Sequence, residues 1–234
     1  MKFSLILPSR GRVKLLENLC KSVDDNTYDK NNIEMLVACD DDDQDTINAL
    51  KQMSYYWLKY FIRPRGNSIS KDYQNWLYKY SKGEYIFVLN DDVEIKTKNW
   101  DQIAQQKINN YVHKDGIFCG WIADDKNVRI NNAKDAYSCF PLFTRKSIDI
   151  LGYVMNEYYG GWSADIFIYN VYKEIDRILD LSEILVQHYT HWLGNRERDE
   201  TNKSMERKSW RKDIINHKPD SEKLKKHIQI PFLL

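Results

Sequence analysis

Four short apolar runs in the first half of the chain end in groups able to do chemistry. Tyr85 to Leu89 runs into Asn90-Asp91-Asp92, and Ile33 to Cys39 runs into Asp40-Asp41-Asp42-Asp43. Lys2 to Leu7 is broken by Pro8-Ser9-Arg10-Gly11-Arg12, and Trp57 to Ile62 by Arg63-Pro64-Arg65-Gly66. A hard divalent cation takes oxygen ligands and usually keeps water or phosphate in its shell, so one or two carboxylates just past a buried strand can supply its protein ligands. Acids beside arginines would suit a metal-bound diphosphate with a hydrogen-bonded nucleoside. Asn and Asp also favour turns for backbone reasons alone, and Asp41 to Asp43 read best as a solvated acidic turn. A calcium loop over Asp40 to Asp45 lacks the central Gly and the distal Glu of an EF-hand.

The elements that must position these groups follow from the apolar spacing. Leu15, Leu16, Leu19, Cys20 and Val23 share one side of a helix over 13–23, and Thr46 to Met53 and Ser70 to Tyr80 read as further helices. Strand, turn and helix therefore repeat through residue 83, and a fourth strand runs into the acids. That alternation predicts an α/β fold with a parallel sheet and helices on both faces, which binds ligands at the carboxyl ends of its strands. The second half reads as helix 100–111, strand 116–122, polar loop 123–134, apolar stretch 137–144, helix 145–151, the loop Tyr158-Tyr159-Gly160-Gly161-Trp162, helix 164–175 and strand 178–188.

With 234 residues, 42% of them apolar, the chain reads as one continuous domain, 1–234. Sixteen Tyr and seven Trp offer packing surface and also flat faces for sugars and bases. A net charge of +1 gives no reason to expect nucleic acid. Eleven Lys and Arg against seven Asp and Glu between 196 and 226 read as a charged, partly helical segment with a solvated face. Cys20, Cys39, Cys119 and Cys139 form no C-x-x-C pair and read as small buried hydrophobes. No apolar run approaches membrane-spanning length and the N-terminus enters a strand directly, so the expected location is cytoplasmic.

The opening FSLILPSRGR, followed by the run Asn75 to Asp92 with its helix, Gly83-Glu84-Tyr85 turn, strand and terminal acids, resembles the family 2-type GT-A glycosyltransferases. The likeness is good over residues 3–95 and loose beyond. It implies a GT-A fold, Rossmann-like, with 1–95 as the nucleotide-sugar-binding half, 96–200 as the acceptor and catalytic half, and 201–234 as the charged C-terminal segment. By position it makes Asp92 the metal-binding acid of a D-x-D, sets Asp91 toward the donor sugar or ribose, and has Asp40 accept a hydrogen bond from the base. Pro8, Ser9, Arg10 and Arg12 would wrap the nucleoside, and Arg65 and Lys71 would contact phosphate or ribose. Asn90 departs from the pattern: an amide hydrogen-bonds ribose or a metal-bound water but adds no charge.

Inverting sugar transfer needs a carboxylate to take the acceptor hydroxyl proton. The resemblance points to Asp165, after the Gly-rich loop, although Ser163-Ala164 stand where the family often has Glu-Asp. The alternative makes Asp165 a first-turn acid favoured by the helix dipole. Glu157 is the reserve base, and Tyr159 and Trp162 would form the acceptor or sugar platform. A late histidine in relatives completes the metal shell, and the spacing to Gly194 favours His188 over His191. The expected activity is transfer from a nucleotide diphosphate sugar, UDP favoured, with Mn²⁺ or Mg²⁺, to a hydroxyl of a glycan, lipid-linked or protein acceptor. The 127–134 loop, or the segment after Gly194, is expected to close over the donor. The rival readings are a sugar-nucleotide pyrophosphorylase-type nucleotidyltransferase, whose Gly-rich signature the short PSRGR lacks, and a non-catalytic nucleotide- or sugar-binding module.

Overall fold

The computed structural model describes residues 2–125, 137–200, 202–203 and 215–228, apart from the side chain of residue 192. The 127–134 loop and most of the 201–234 segment, both singled out above, lie outside the described residues.

Eight strands form one sheet: β1 (Phe3–Ser9), β2 (Ile33–Asp40), β3 (Leu58–Arg63), β4 (Tyr85–Val88), β5 (Val93–Ile95), β6 (Cys119–Asp124), β7 (Leu142–Thr144) and β8 (Ile178–His188). Their order is β3-β2-β1-β4-β7-β6-β8-β5. The β1–β2, β2–β3, β1–β4 and β6–β8 pairs are parallel, while β7 runs against β4 and β6, and β5 against β8. The chain leaves β1 on one side for β2 and β3, then returns to its other side with β4. That reversal opens a crevice beyond the carboxyl ends of β1 and β4, the usual ligand position in an open α/β sheet.

The helices are α1 (Val13–Asn26), α2 (Gln44–Gln52), α3 (Asn75–Tyr78), α4 (Trp100–Asn109), α5 (Arg145–Leu151), α6 (Ala164–Lys173) and α7 (Lys218–Lys225). Strand alternation divides the core between the two faces of the sheet. Leu5, Leu7, Met35, Val37 and Phe87 pack with Leu16 and Leu19 of α1, Ile47 and Leu50 of α2, and Trp100 and Ala104 of α4. Ile6, Leu36, Ala38, Ile86 and Val88 point the other way, onto Leu77 of α3, Ile148 and Leu151 of α5, Phe167 and Val171 of α6 and Leu224 of α7. The expected helices on both faces are present.

Two elements differ from the sequence reading. The helix expected over 70–80 is a π-helical turn, Ile69–Gln74, followed by the short α3. β5 was not predicted because three residues carry too little pattern to register as a strand. The Gly83-Glu84-Tyr85 turn has a steric cause: a Cβ at Gly83 would stand 2.6 Å from the backbone nitrogen of Ser4. The chain enters β4 beside β1 only because that carbon is missing. Among the described residues, no helix is long and apolar enough to cross a membrane.

Candidate active site

The turn after β1 knits the strand ends together. Gly11, at φ 63°, takes a left-handed conformation that suits glycine. Its neighbours reach in different directions. Arg10 Nη1 donates to Asp40 Oδ2 at 3.0 Å and its guanidinium also grips Asp42. Arg12 Nη1 donates to Asp91 Oδ1 at 2.9 Å and to Asp92 Oδ2 at 3.0 Å. Ser9 Oγ donates to Asp91 Oδ2 at 3.0 Å. The acids closing β2 and those following β4 thus meet through one short loop, with Pro8 in the strand leading to it.

The acidic turn after β2 is not merely solvated, as the sequence reading had it. Asp43 caps α2 by accepting from Thr46 N, and its other oxygen accepts from Gly11 N at 2.7 Å. Asp42 pairs with Arg10, and Asp41 is exposed. Asp40 is buried, with Oδ1 accepting from the Tyr73 hydroxyl at 2.5 Å and Oδ2 from Arg10. Burial and the Asp40 carboxylate raise the Tyr73 hydroxyl well above its ordinary pKa, so it stays a donor.

His188 arrives through β5. Its register opposite Val93 sets it beside Asp92, and Tyr189 N donates to the Asp92 carbonyl at 2.8 Å. His188 Nε2 lies 3.4 Å from Asp92 Oδ1. That oxygen is buried and accepts no hydrogen bond, although its partner Oδ2 holds Arg12 and, at 3.3 Å, Arg196. An unsatisfied carboxylate oxygen costs free energy unless something else fills its place. An oxygen and an imidazole nitrogen this close could share one divalent cation. Among the described residues no three His, Cys, Asp or Glu side chains gather as a metal cage. Two donors plus water and phosphate oxygens would match the habit of Mg²⁺ and related hard ions.

The charges fit such an ion. The hydrogen-bonded network joins five carboxylates (Asp40, Asp42, Asp91, Asp92 and Asp199) to three guanidiniums (Arg10, Arg12 and Arg196), leaving two negative charges. Burial raises the Asp91 pKa and outweighs Arg12. Burial also opposes ionisation of Asp92, but contact with His188 and the charges of Arg12 and Arg196 prevail and lower it. At Asp199, hydrogen bonds from Arg12 and from the Asn202 backbone N–H overcome burial and take the carboxyl down to about 2.

The sequence reading missed Arg196, whose side chain is only 12% exposed, and gave no role to Asp199, which binds Arg12 Nε at 2.7 Å. Both fall in a segment that reads as solvated charge. A further miss was Tyr73, which looked like one more helix aromatic.

A cleft of about 690 Å³ opens beside this network. Asn90, His188, Asp165 and Trp162 line it. Asp165 sits in the first turn of α6, where the helix dipole favours its anion. The preceding Ser163 holds φ 69°, an uncommon left-handed conformation for a non-glycine residue. Four expected residues stand elsewhere. Tyr159 is fully buried, its ring packed on Phe167 and its hydroxyl accepting from Ile215 N, so no ring face is open to a sugar. Glu157 is exposed and pairs loosely with exposed Lys71 at 3.9 Å. Arg65 is exposed, and it is Arg63 that stacks over the Tyr73 and Trp76 rings.

Comparison with known proteins accords with this geometry. No curated protein sequence matches the chain. Residues 1–349 of S. aureus TarS, solved with UDP-GlcNAc, superpose with a TM-score of 0.65 at 16% identity, over 87% of this chain and 61% of that one. The same fragment with UDP gives 0.63 at 16% identity, over 80% and 60%, so the chain spans about three fifths of TarS 1–349. The mannosyltransferase PcManGT from Pyrobaculum calidifontis, solved with GDP-Man and Mn²⁺, gives 0.67 at 10% identity, over 97% and 69%. At these identities the likeness is one of fold. The sequence profile described as Glycosyl transferase family 2 matches residues 4–201, most of the chain, and the protein belongs to that family.

Proposed function

We propose that this chain transfers a sugar from a nucleotide diphosphate sugar, with UDP the favoured nucleotide, to an acceptor hydroxyl with inversion at the anomeric carbon. The observation that carries the reading is the unsatisfied Oδ1 of Asp92, 3.4 Å from His188 Nε2, at the edge of the cleft that also holds Asp165. TarS with UDP and UDP-GlcNAc, and PcManGT with GDP-Man and Mn²⁺, support a nucleotide-sugar donor by likeness of fold.

In this reading Asp92 and His188 hold Mn²⁺ or Mg²⁺, which when bound stabilises charge developing on the leaving diphosphate. Arg12 and Arg196 keep Asp92 ionised and turned toward His188. Arg10, Ser9 and Arg12 fix the loop against which the nucleoside lies, and Asp40, braced by Tyr73 and Arg10, offers its remaining lone pairs to the base. Asp165 takes the proton of the acceptor hydroxyl as that oxygen attacks. Trp162 supplies a flat wall for the sugar or acceptor.

Incubation with UDP-sugars and GDP-mannose, with product analysis, tests the reading. Release of a nucleoside diphosphate that EDTA stops is the expected result. Release of pyrophosphate would identify nucleotidyl transfer instead, and an absence of turnover together with retained nucleotide binding would identify a binding module.

A further inference from the structure

Gln74 ends the π-helical turn that precedes α3, and it lines the cleft beside Asn90, Asp165 and His188. The residue is buried, with only 6% of its surface exposed. Buried carboxamides normally find hydrogen-bond partners. Among the described residues neither Gln74 nor Asn90 makes a side-chain hydrogen bond, so two unspent amides face one cavity.

Gln74 is also held firmly in place. Ile69 N donates to the Gly160 carbonyl at 2.8 Å, tying the turn to the Gly-rich loop. The Asn75 side chain accepts from Val154 N at 2.9 Å and Met155 N at 3.0 Å and donates to the Met155 carbonyl at 2.8 Å. Asp72 Oδ2 accepts from the backbone of Asn67 and Ser68. A polar group anchored on both sides and left without a partner is preorganised for a ligand. π-turns inside helices recur at functional sites.

Resting on the donor reading above, the structure assigns Gln74, with Asn90, as the pair that reads an uncharged sugar: a hexose through its hydroxyls or an N-acetylhexosamine through its acetamide. A carboxamide both donates and accepts, which suits a hydroxyl or an amide. It carries no charge and cannot offset the desolvation of a carboxylate. Among the described residues of the lining, Asp165 is the carboxylate and no Lys or Arg joins it there to pair with an anionic sugar. Ile69, Met155 and Trp162 complete largely apolar walls. The cleft therefore selects against hexuronates and phosphorylated sugars.

Calorimetric titrations of the full chain with Mn²⁺ test this, using UDP-glucose, UDP-N-acetylglucosamine, GDP-mannose and UDP-glucuronate, with UDP and GDP as references. The neutral sugars should bind at least ten-fold more tightly than UDP-glucuronate. Gln74→Leu should weaken the neutral donors about three- to ten-fold, the size of one lost hydrogen bond, while binding of the free nucleotide holds within two-fold. Gln74→Arg should narrow the gap to UDP-glucuronate. Equal binding of UDP-glucose and UDP-glucuronate by the wild-type protein overturns the assignment even if no variant folds, as does a folded Gln74→Leu that binds neutral donors normally. If neither UDP nor GDP binds wild-type protein, the donor reading itself fails and takes this assignment with it.

Discussion

Arg12 reaches Asp92 across the boundary between β1 and β4, with Nη1 3.0 Å from Oδ2, and both side chains are less than a tenth exposed. The same nitrogen holds Asp91, and Nε holds Asp199. One guanidinium thus offsets the repulsion among three acids. Breaking a buried ion pair from one side costs about 3–5 kcal/mol, because the remaining charge is stranded. Arg12→Ala should lose about that much in urea unfolding at pH 7. Asp91 has a raised pKa in the folded state, so its protonated form is favoured there and its stabilising contribution is lost as pH rises through that value. The deficit of the variant should therefore shrink as pH is lowered from 7 and Asp91 takes up its proton. A deficit under 1 kcal/mol, or one that ignores pH, would show that Arg12 does not neutralise this cluster.

Asp199 gives the opposite pH signature. Its folded pKa is depressed from 3.8 to about 2, so it stabilises the fold above its unfolded value and loses that contribution as pH falls through the folded one. Asp199→Asn should be less stable than wild type at pH 7. The gap should close progressively between about pH 4 and pH 2, as read by denaturant midpoints along a pH series. A gap that is constant across that window would mean the ion pairs with Arg12 and Arg196 contribute nothing.

Asp165→Asn should keep nucleoside diphosphate affinity within two-fold and lose about 10²- to 10⁴-fold in transfer to an acceptor, the usual cost of deleting a general base. Donor hydrolysis and transfer, measured on one preparation, check it. Transfer near the wild-type rate would leave Asp165 as a helix-terminal acid only.

How much of this was legible beforehand differs between the two halves of the chain. β1, β2 and β4 carry largely apolar runs because each is covered on both faces, so Leu5 and Ile6, or Met35 and Leu36, serve opposite cores, while the edge strand β3 leaves Lys59, Tyr60 and Ile62 exposed. The polar residues closing those runs marked the crevice for the same reason: a buried strand can end in charge only where the sheet stops. Asp92 and His188 are nominated through the family resemblance, but the pairing that brings them together depends on β5, whose three residues have no readable period. Arg196 lies 104 residues from Asp92 in sequence and sits among alternating charges, so nothing local separates it from solvated neighbours. Tyr159 was misjudged because an aromatic beside two glycines looks like an exposed platform. Its burial is decided by Phe167 of α6 and by Ile215, which lies far along the chain.

The central claim is that Asp92 and His188 gather a divalent cation with the donor diphosphate. Titration of UDP and GDP into wild-type protein, with Mn²⁺ and then with EDTA, tests it most directly, alongside Asp92→Asn and His188→Ala. The account predicts that Mn²⁺ tightens binding of the preferred nucleotide at least ten-fold in wild type, about 1.4 kcal/mol, and that each substitution abolishes most of this gain. Equal affinity in Mn²⁺ and EDTA, or a full Mn²⁺ effect surviving in both variants, would contradict it.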